Sequence, residues 1–500
     1  MALPDVIEIV PLDKPVRAEI TVPGSKSITN RALILAALAD GEVTLTGALW
    51  SEDTQIMVEC LQKLGFEIRV ENDPAEFCNR NITVRGLGGK ILPQGGTGTI
   101  EKPRELFVGN AGTAARFLSA FVCLGDGVYR LSGVPRMHER PQAALFQALR
   151  ELGYRVESEN GDDKLPVKIF GGRSRGDETQ TKEVGIDQRL LTSSPTKKCR
   201  VSIEQSSQFA SALLLCAKVG NWAIEVIGEN AEESPYVAMS LKLVEAFPKK
   251  GGTFQIEPDA SNGSYFWAAG MFDMIPTWKP RRPHLNFDTA KTASLLKELL
   301  SLFEVTVVKW PDSGWQADAA FPLFVTTTLV SRKQHLADSI MTAMILAPFG
   351  MLPTTFTDLG RLRLQECERV AAMRTELKKC GAKVLEEGDS LTISPSCKSG
   401  SLAHLAAFSS NIFRKFLCKS DLHGAEIETY NDHRMAMCFA ILGLKIPGIK
   451  IKNPACVKKT FPNFFQKMAG PPPNGLGAEI WEIKNGERTR KLSDEDLFAD

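Results

Sequence analysis

The chain has 500 residues, 43% of them hydrophobic, and its 60 basic and 59 acidic side chains leave a formal charge of +1. That balance argues against a nucleic-acid binder that works through bulk basicity, and no apolar run approaches the ~20 residues a membrane-spanning helix needs. The 11 cysteines lack CxxC or Cys/His spacing, so they read as reduced thiols with no metal site or cofactor; with no signal-peptide pattern at the N-terminus, a cytoplasmic protein is expected.

In chain order, a short strand at 7–10 precedes the stretch Val22-Pro-Gly-Ser-Lys-Ser-Ile-Thr-Asn-Arg31, which crowds two hydroxyls, an ammonium and a guanidinium against a small-residue apolar run. This is an anion-binding helix start. Pro23 and Gly24 end a strand, Ser25 or Ser27 can cap the helix, and the positive dipole end favours a negative ligand beside Lys26 and Arg31. The alternative is a capped surface helix with two solvated cations.

The pattern then repeats, a polar cluster opening a small-residue helix, a strand, a second helix, glycine, and another strand. The first copy covers 27–70, with Gly65 after its second helix. The second opens at Asn110-Ala-Gly112-Thr113 and closes through Gly153 at 156. The third opens at Ser206-Ser207-Gln208 and ends near 256. The fourth opens at 259–261, and its middle is replaced by a Pro- and Trp-containing stretch at 275–283 before a helix at 289–303. The fifth opens at Asp338 and passes Gly381, and the sixth opens at Asn431-Asp-His-Arg434. Six copies imply an α/β protein of two three-unit domains. The expected boundaries are 21–247 for one, 1–20 with 248–470 for the other, and a linker at 248–252. The segment 158–198 reads as an insertion carrying little strand, and 471–500 as a mobile tail.

If equivalent helices point their N-termini at one cleft, their polar clusters converge there, joined by Arg136 and Arg140, Ser234, Glu366 and Arg369, and Lys459 from a second layer of loops. With Lys26, Arg31, Arg116 and Arg434 this is enough positive charge for two phosphates, each about −1.5 to −2 at neutral pH. Asp338 could instead cap the helix that follows it; His433 and Met435 read as core.

The motifs PGSKSITNR, LFVGNAGTAARFL, GVPRMHERP, QSSQF and YNDHRMAMCFA followed by KTFP, in this order, resemble the EPSP synthase (3-phosphoshikimate 1-carboxyvinyltransferase) family, most like the form in the fungal arom polypeptide, over residues 7–470. The resemblance implies two inverse α/β barrel-like domains, each of three βαβαββ units. They would close on shikimate 3-phosphate and phosphoenolpyruvate in a monomer that needs no metal or cofactor and binds neither nucleic acid nor membrane. By motif, Ser206, Ser207 and Ser234 correspond to shikimate-phosphate contacts, with Lys26 near. Ser27, Arg31, Gln208 and Asp338 correspond to ligands of the shikimate hydroxyls and carboxylate, and Tyr236 lies beside the ring. Arg136, Arg369, Arg434 and Lys459 correspond to the cluster holding phosphoenolpyruvate, with Asn110, Gly112 and Thr113 lining its pocket. Lys26, Asp338 and Glu366 are the implied acid and base groups.

The match departs in the fifth copy, where the family has asparagine at the position of Arg361 and lysine at that of Gln365. The fourth copy also lacks the family's Gln-Gly-Asp signature. Glutamine carries no charge and no acidic proton at pH 7, so one proton carrier is missing unless Arg361 or Arg363 restores the charge. Beside the shikimate-pathway enzyme, two alternatives therefore stand, a diverged transferase acting on another cyclic polyol phosphate and a catalytically silent ligand-binding homologue.

Overall fold

The computed structural model describes residues 3–89, 98–172, 197–228, 234–272, 303–324, 327–396 and 421–499. The chain separates into two compact units, Gly24–Glu257 and Met1–Pro23 with Pro258–Asp500. The first strands, β1 (Val6–Ile9) and β2 (Ala18–Ile20), belong to the second of these.

Residues 24–257 make three passes of one plan. The first has α1 (Lys26–Leu38), β3 (Asp40–Leu49), α2 (Glu52–Lys63), β4 (Ile68–Asn72) and β5 (Asn79–Leu87). The second has β6 (Arg104–Phe107), α3 (Gly112–Phe121), β7 (Gly127–Ser132), α4 (Pro135–Glu139), α5 (Ala143–Glu151), β8 (Arg155–Ser158) and β9 (Val167–Gly171). The third has β10 (Lys197–Ser202), α6 (Ser207–Gly220), β11 (Trp222–Ile227), α7 (Pro235–Ala246) and β12 (Gly252–Gln255). Pass one closes through β12, which lies parallel to β3.

The second unit continues with α8 (Ala260–Met271), β13 (Val305–Val307), β14 (Leu329–Ser331), α9 (Ile340–Leu346), β15 (Thr354–Thr357), α10 (Arg369–Lys379), β16 (Lys383–Glu387) and β17 (Ser390–Ser394). It ends with β18 (Glu426–Ile427), α11 (His433–Gly443), β19 (Ile449–Lys452), α12 (Phe464–Ala469), β20 (Ile480–Lys484) and β21 (Glu487–Lys491).

The repeat is visible in strand pairing. Among the described residues there are six sheets. Four share one pattern, a parallel pair followed by two antiparallel neighbours: β12-β3-β5-β4, β6-β7-β9-β8, β14-β15-β17-β16 and β18-β19-β1-β20. The parallel pairs β10-β11 and β13-β2 are reduced versions. In both units the first helix of each pass is largely buried, as in α1, α3, α6, α8, α9 and α11, so these helices form the core and the sheets cover them.

Local chemistry recurs with the plan. After α2, α5 and α10, glycines 65, 153 and 381 take φ of 93, 84 and 87°, left-handed values only glycine adopts cheaply. Each ends its helix with the same pair of bonds. Gly65 N–H donates to Gln62 O and Phe66 N–H to Leu61 O, and the equivalents are Gly153 to Arg150 with Tyr154 to Leu149, and Gly381 to Lys378 with Ala382 to Leu377.

Two expectations from composition are corrected. Within 158–198, residues Val167–Gly171 are the strand between β7 and β8, with Val167 and Ile169 fully buried; a four-residue alternation was hidden by its polar flanks. The 471–500 segment is not a loose tail. β1 has two open edges, β19 pairs with one and β20 with the other, and β21 folds back on β20, while Ile480, Leu492, Leu497 and Ala499 are buried and Arg488 holds the buried Glu8 with bonds of 3.1 and 2.8 Å. The expected features at 275–283 and 289–302 lie outside the described residues. No helix among the described residues is long and apolar enough to cross a membrane.

Candidate active site

In the unit 24–257 the sequence-selected residues collect at helix starts. Lys26 opens α1, and its Nζ lies 3.1 Å from Asp53 Oδ2 in the first turn of α2; the side chains are 15% and 4% exposed. Ser25 occupies the N-cap position without capping through its side chain. First-turn N–H groups have no intrahelical partner, so this end suits an anion. Ser27 sits one residue in, its carbonyl accepting from Arg31 Nη1 at 2.8 Å.

Arg31 is turned inward. It donates through Nε to Ser240 Oγ (2.8 Å) and through Nη2 to Ser211 Oγ (2.9 Å) and Tyr236 O (3.3 Å), with the Phe117 ring 5.2 Å and the Tyr236 ring 6.0 Å from its guanidinium. Burial pulls its pKa down to about 10. It fixes α1 against α6 and α7 and seats Tyr236.

At the start of α3 the backbone of Asn110 accepts from Arg140 Nη1 (3.4 Å), and Arg116 Nη2 donates to Pro141 O (3.1 Å). Gly112 is required here. A Cβ on it would stand 2.4 Å from Arg116 Nη1 and 2.8 Å from both Arg140 Nη atoms, so two guanidiniums rest against bare backbone. Gln208 Nε2 reaches Thr113 Oγ1 at 3.3 Å, while its own N–H is capped by Ser206 Oγ at 3.2 Å. Ser207 and Ser234 are buried, Ser234 at the N-cap position of α7. Arg140 Nε, both Gln142 amide atoms, Gln208 Oε1 and Ser234 Oγ are buried with no protein partner. Each such atom costs about 1–3 kcal/mol in a packed core, so their concentration makes this a candidate binding surface. Arg136 is not brought into this group. It lies on α4, 45% exposed, ion-paired with Glu139 at 2.5 Å.

In the second unit one buried network joins the remaining candidates. Asp338 Oδ1 accepts from Arg332 Nη2 at 2.8 Å, and its Oδ2 lies 3.1 Å from Arg434 Nη2 and 3.9 Å from Arg369 Nη1. Arg369, 1% exposed, also reaches Asp432 at 2.7 and 3.1 Å and Glu366 at 2.8 Å, and Nη1 donates to Gln365 Oε1. Lys459 Nζ closes the set 3.1 Å from Glu366. Four cations face three carboxylates, which leaves a cationic centre of the kind that stabilises oxyanions.

Asp338 is not the cap of α9. Ser339 holds the N-cap position, and Asp318 fixes the turn leading into it, accepting at Oδ1 from Ala337 N (2.9 Å), Ser339 N (3.0 Å) and Ser339 Oγ (2.6 Å), while Oδ2 takes Ser261 Oγ. Asp338 is thereby free to face the arginines. Burial alone would raise its pKa, but Arg434, Arg332 and Arg369 outweigh burial and hold the carboxyl well below the usual carboxylate range. It is an acceptor at every working pH. Arg369 is likewise penalised by burial, yet Asp432, Glu366 and Asp338 raise its pKa. Arg363 does not replace the missing cation, since Glu368, Glu386, Asp389 and the Gly388 carbonyl occupy it.

Sequence reasoning missed Asp53, Asp318, Arg332 and Asp432. Asp432 had a signal, an Asp one residue before a helix start, and it caps α11 by accepting from Arg434 N at 2.8 Å. Arg332 had none, because its partner Asp338 stands beyond a turn whose path the sequence does not specify.

A family model described as EPSP synthase (3-phosphoshikimate 1-carboxyvinyltransferase) matches residues 11–250 and 248–468. The chain belongs to the EPSP synthase family. A relative named 3-phosphoshikimate 1-carboxyvinyltransferase from Trichormus variabilis is 35% identical, covering 93% of this chain and 98% of its own. One of the same name from Opitutus terrae is 34% identical over 94% and 98%. Among solved structures, an EPSP synthase from Acinetobacter baumannii aligns with a TM-score of 0.60 at 22% identity, covering 95% of this chain and 99% of that one. The enolpyruvyl transferase NikO from Streptomyces tendae aligns at 0.55 with 13% identity over 99% and 100%. These two likenesses speak for the family's two-domain α/β fold, which this chain shares.

Proposed function

We infer that this enzyme transfers the enolpyruvyl group from phosphoenolpyruvate to the 5-hydroxyl of shikimate 3-phosphate and releases inorganic phosphate, a step of aromatic amino acid biosynthesis. The observation that carries the reading is the buried network of Asp338, Glu366, Arg369, Arg434 and Lys459, in a chain of this family.

In the proposed assignment the unit 24–257 takes shikimate 3-phosphate through Lys26, Ser27, Ser206, Ser207, Gln208, Ser234 and Tyr236, with Arg31 positioning them from behind. Asn110, Gly112 and Thr113, with Arg116 and Arg140, address the phosphate of the donor. In the second unit, Arg369, Arg434 and Lys459 form the cationic cluster assigned to oxyanion binding. The acceptor hydroxyl adds to C2 of the enol while its methylene becomes a methyl group. A proton then leaves that methyl, the C2–O bond to phosphate breaks, and the double bond returns. Asp338 orients the hydroxyl, Glu366 and Lys26 exchange protons, and the guanidiniums and Lys459 stabilise the departing phosphate. Water must be kept out while the tetrahedral intermediate exists. The enzyme is proposed to act as a cytoplasmic monomer; the nine described cysteines are buried free thiols, which suits a reducing compartment.

Gln365 favours one further reading, a diverged acceptor, because the family's lysine is replaced by a neutral amide bonded to Arg369. Phosphate release measured with both substrates tests the first reading. Calorimetric binding of shikimate 3-phosphate without turnover would move the assignment to the diverged or silent homologue, and no binding would end the shikimate assignment.

A further inference from the structure

Arg332 stands in the turn after β14 and is 6% exposed, with its Nη2 2.8 Å from Asp338 Oδ1 and its buried Nε without a protein partner. The turn that presents it is rigidly made. Arg332 N–H donates to Thr357 O at 3.1 Å, Ser331 Oγ donates to Asp358 and accepts from Gln334 N at 3.1 Å, Ser331 N–H donates to His335 Nδ1 at 3.0 Å, and the His335 ring stacks on Phe324 with centroids 4.5 Å apart. Asp338 therefore meets guanidiniums from three separate elements: Arg332 from this turn, Arg369 from α10 and Arg434 from α11. At position 365 the side chain is a neutral amide accepting from Arg369, and an ammonium there would stand against that guanidinium instead.

We propose that Arg332 is a positioning residue for the transfer reaction, supplying from the β14 turn the cation that position 365 does not, and so fixing the Asp338 carboxylate for the acceptor hydroxyl. The proposal rests on the enolpyruvyl-transfer reading. A guanidinium holds its charge throughout the working range and offers two parallel donors, so it fixes a carboxylate without exchanging a proton with it. Proton traffic is then left to ammonium and carboxyl groups such as Lys26, Lys459 and Glu366.

The test is steady-state phosphate release by wild type, Arg332→Met, Arg332→Lys, Gln365→Lys and the double variant Arg332→Met/Gln365→Lys. Arg332→Met should lose about a hundredfold or more in kcat/KM for the acceptor, as truncating one member of a buried charge pair does. The acid limb of its pH profile should also move to higher pH, because Asp338 loses one of its three cations. Arg332→Lys should stay within about tenfold of wild type, since it keeps the charge but not the fork. Gln365→Lys alone should lower kcat/KM, whereas in the Arg332→Met background it should recover activity. An Arg332→Met enzyme with wild-type kcat/KM and an unmoved acid limb overturns the proposal, and so does a rise in activity on Gln365→Lys alone. Wild type without turnover defeats the transfer reading separately. In that case the pH dependence of the melting midpoint decides for Arg332: a flatter fall below about pH 5 in Arg332→Met supports its hold on Asp338, and an unchanged fall rejects it.

Discussion

Replacing Asp432 by alanine removes several interactions at one buried point. The carboxylate is fully buried, accepts from Arg369 Nε at 2.7 Å and Nη2 at 3.1 Å, caps α11 through Arg434 N–H at 2.8 Å, and receives the Cys367 thiol at 3.5 Å. Losing two charge-assisted hydrogen bonds from a buried guanidinium that keeps Glu366 and Asp338 costs about 3–5 kcal/mol, and losing an N-cap about 1 kcal/mol more. At roughly 2–4 °C per kcal/mol for a unit of this size, the melting midpoint should fall by about 10–20 °C. Asp432→Asn keeps an acceptor for the cap and should cost less than half as much. Adding Arg369→Met to Asp432→Ala removes the guanidinium that lost those bonds, so the double variant should be more stable than the two single losses imply. Calorimetric melting of the four proteins, with kcat/KM on the same samples, reads this directly. Asp432→Ala melting within 3 °C of wild type, or strictly additive losses, would refute the view that Arg369 depends on Asp432.

At the start of α3, Gly112→Ala should cost about 1–3 kcal/mol in stability, because the added methyl crowds two buried guanidiniums, while raising the KM for phosphoenolpyruvate about tenfold or more by displacing Arg116 and Arg140. Denaturant unfolding and kinetics on one preparation separate the two effects. Asp338, whose pKa is depressed in the folded state, binds fewer protons there than when unfolded. Its contribution is present above the unfolded carboxyl value and is lost progressively as pH falls below about 5, so Asp338→Asn should flatten the acid side of the stability profile. A profile as steep as wild type would remove Asp338 from its arginine cage. For the C-terminal hairpin, hydrogen exchange should find the β20 amides facing β1 as slow as those of β1 itself, and free exchange there would restore the loose tail.

The six-fold plan was legible because its punctuation is chemical. Glycines 65, 153 and 381 follow their helices at one offset, and polar clusters open the small-residue helices. The charge of the second-unit cluster was legible too, as Asp338 and Arg434 fall at unit openings, Glu366, Arg369 and Lys459 in the second layer of loops, and all five join one ion-pair network. Other features depend on tertiary contact, which leaves no local trace. Arg31 looks like a ligand in sequence because it follows a lysine and two serines, yet its guanidinium is taken up by Ser211 and Ser240, 180 and 209 residues away. Arg136 has the same motif neighbours as Arg140, but on its five-residue helix it is 45% exposed and paired with Glu139. β20 escaped notice because its reason for pairing, the open edge of β1, lies at the opposite end of the chain.

The most direct measurement is continuous phosphate release from phosphoenolpyruvate and shikimate 3-phosphate, with the organic product identified by mass spectrometry and Asp338→Asn as the control. The account predicts one phosphate per enolpyruvyl ether formed, and a loss of about a thousandfold or more in the control. No phosphate release by wild type, or equal rates in both proteins, would contradict it.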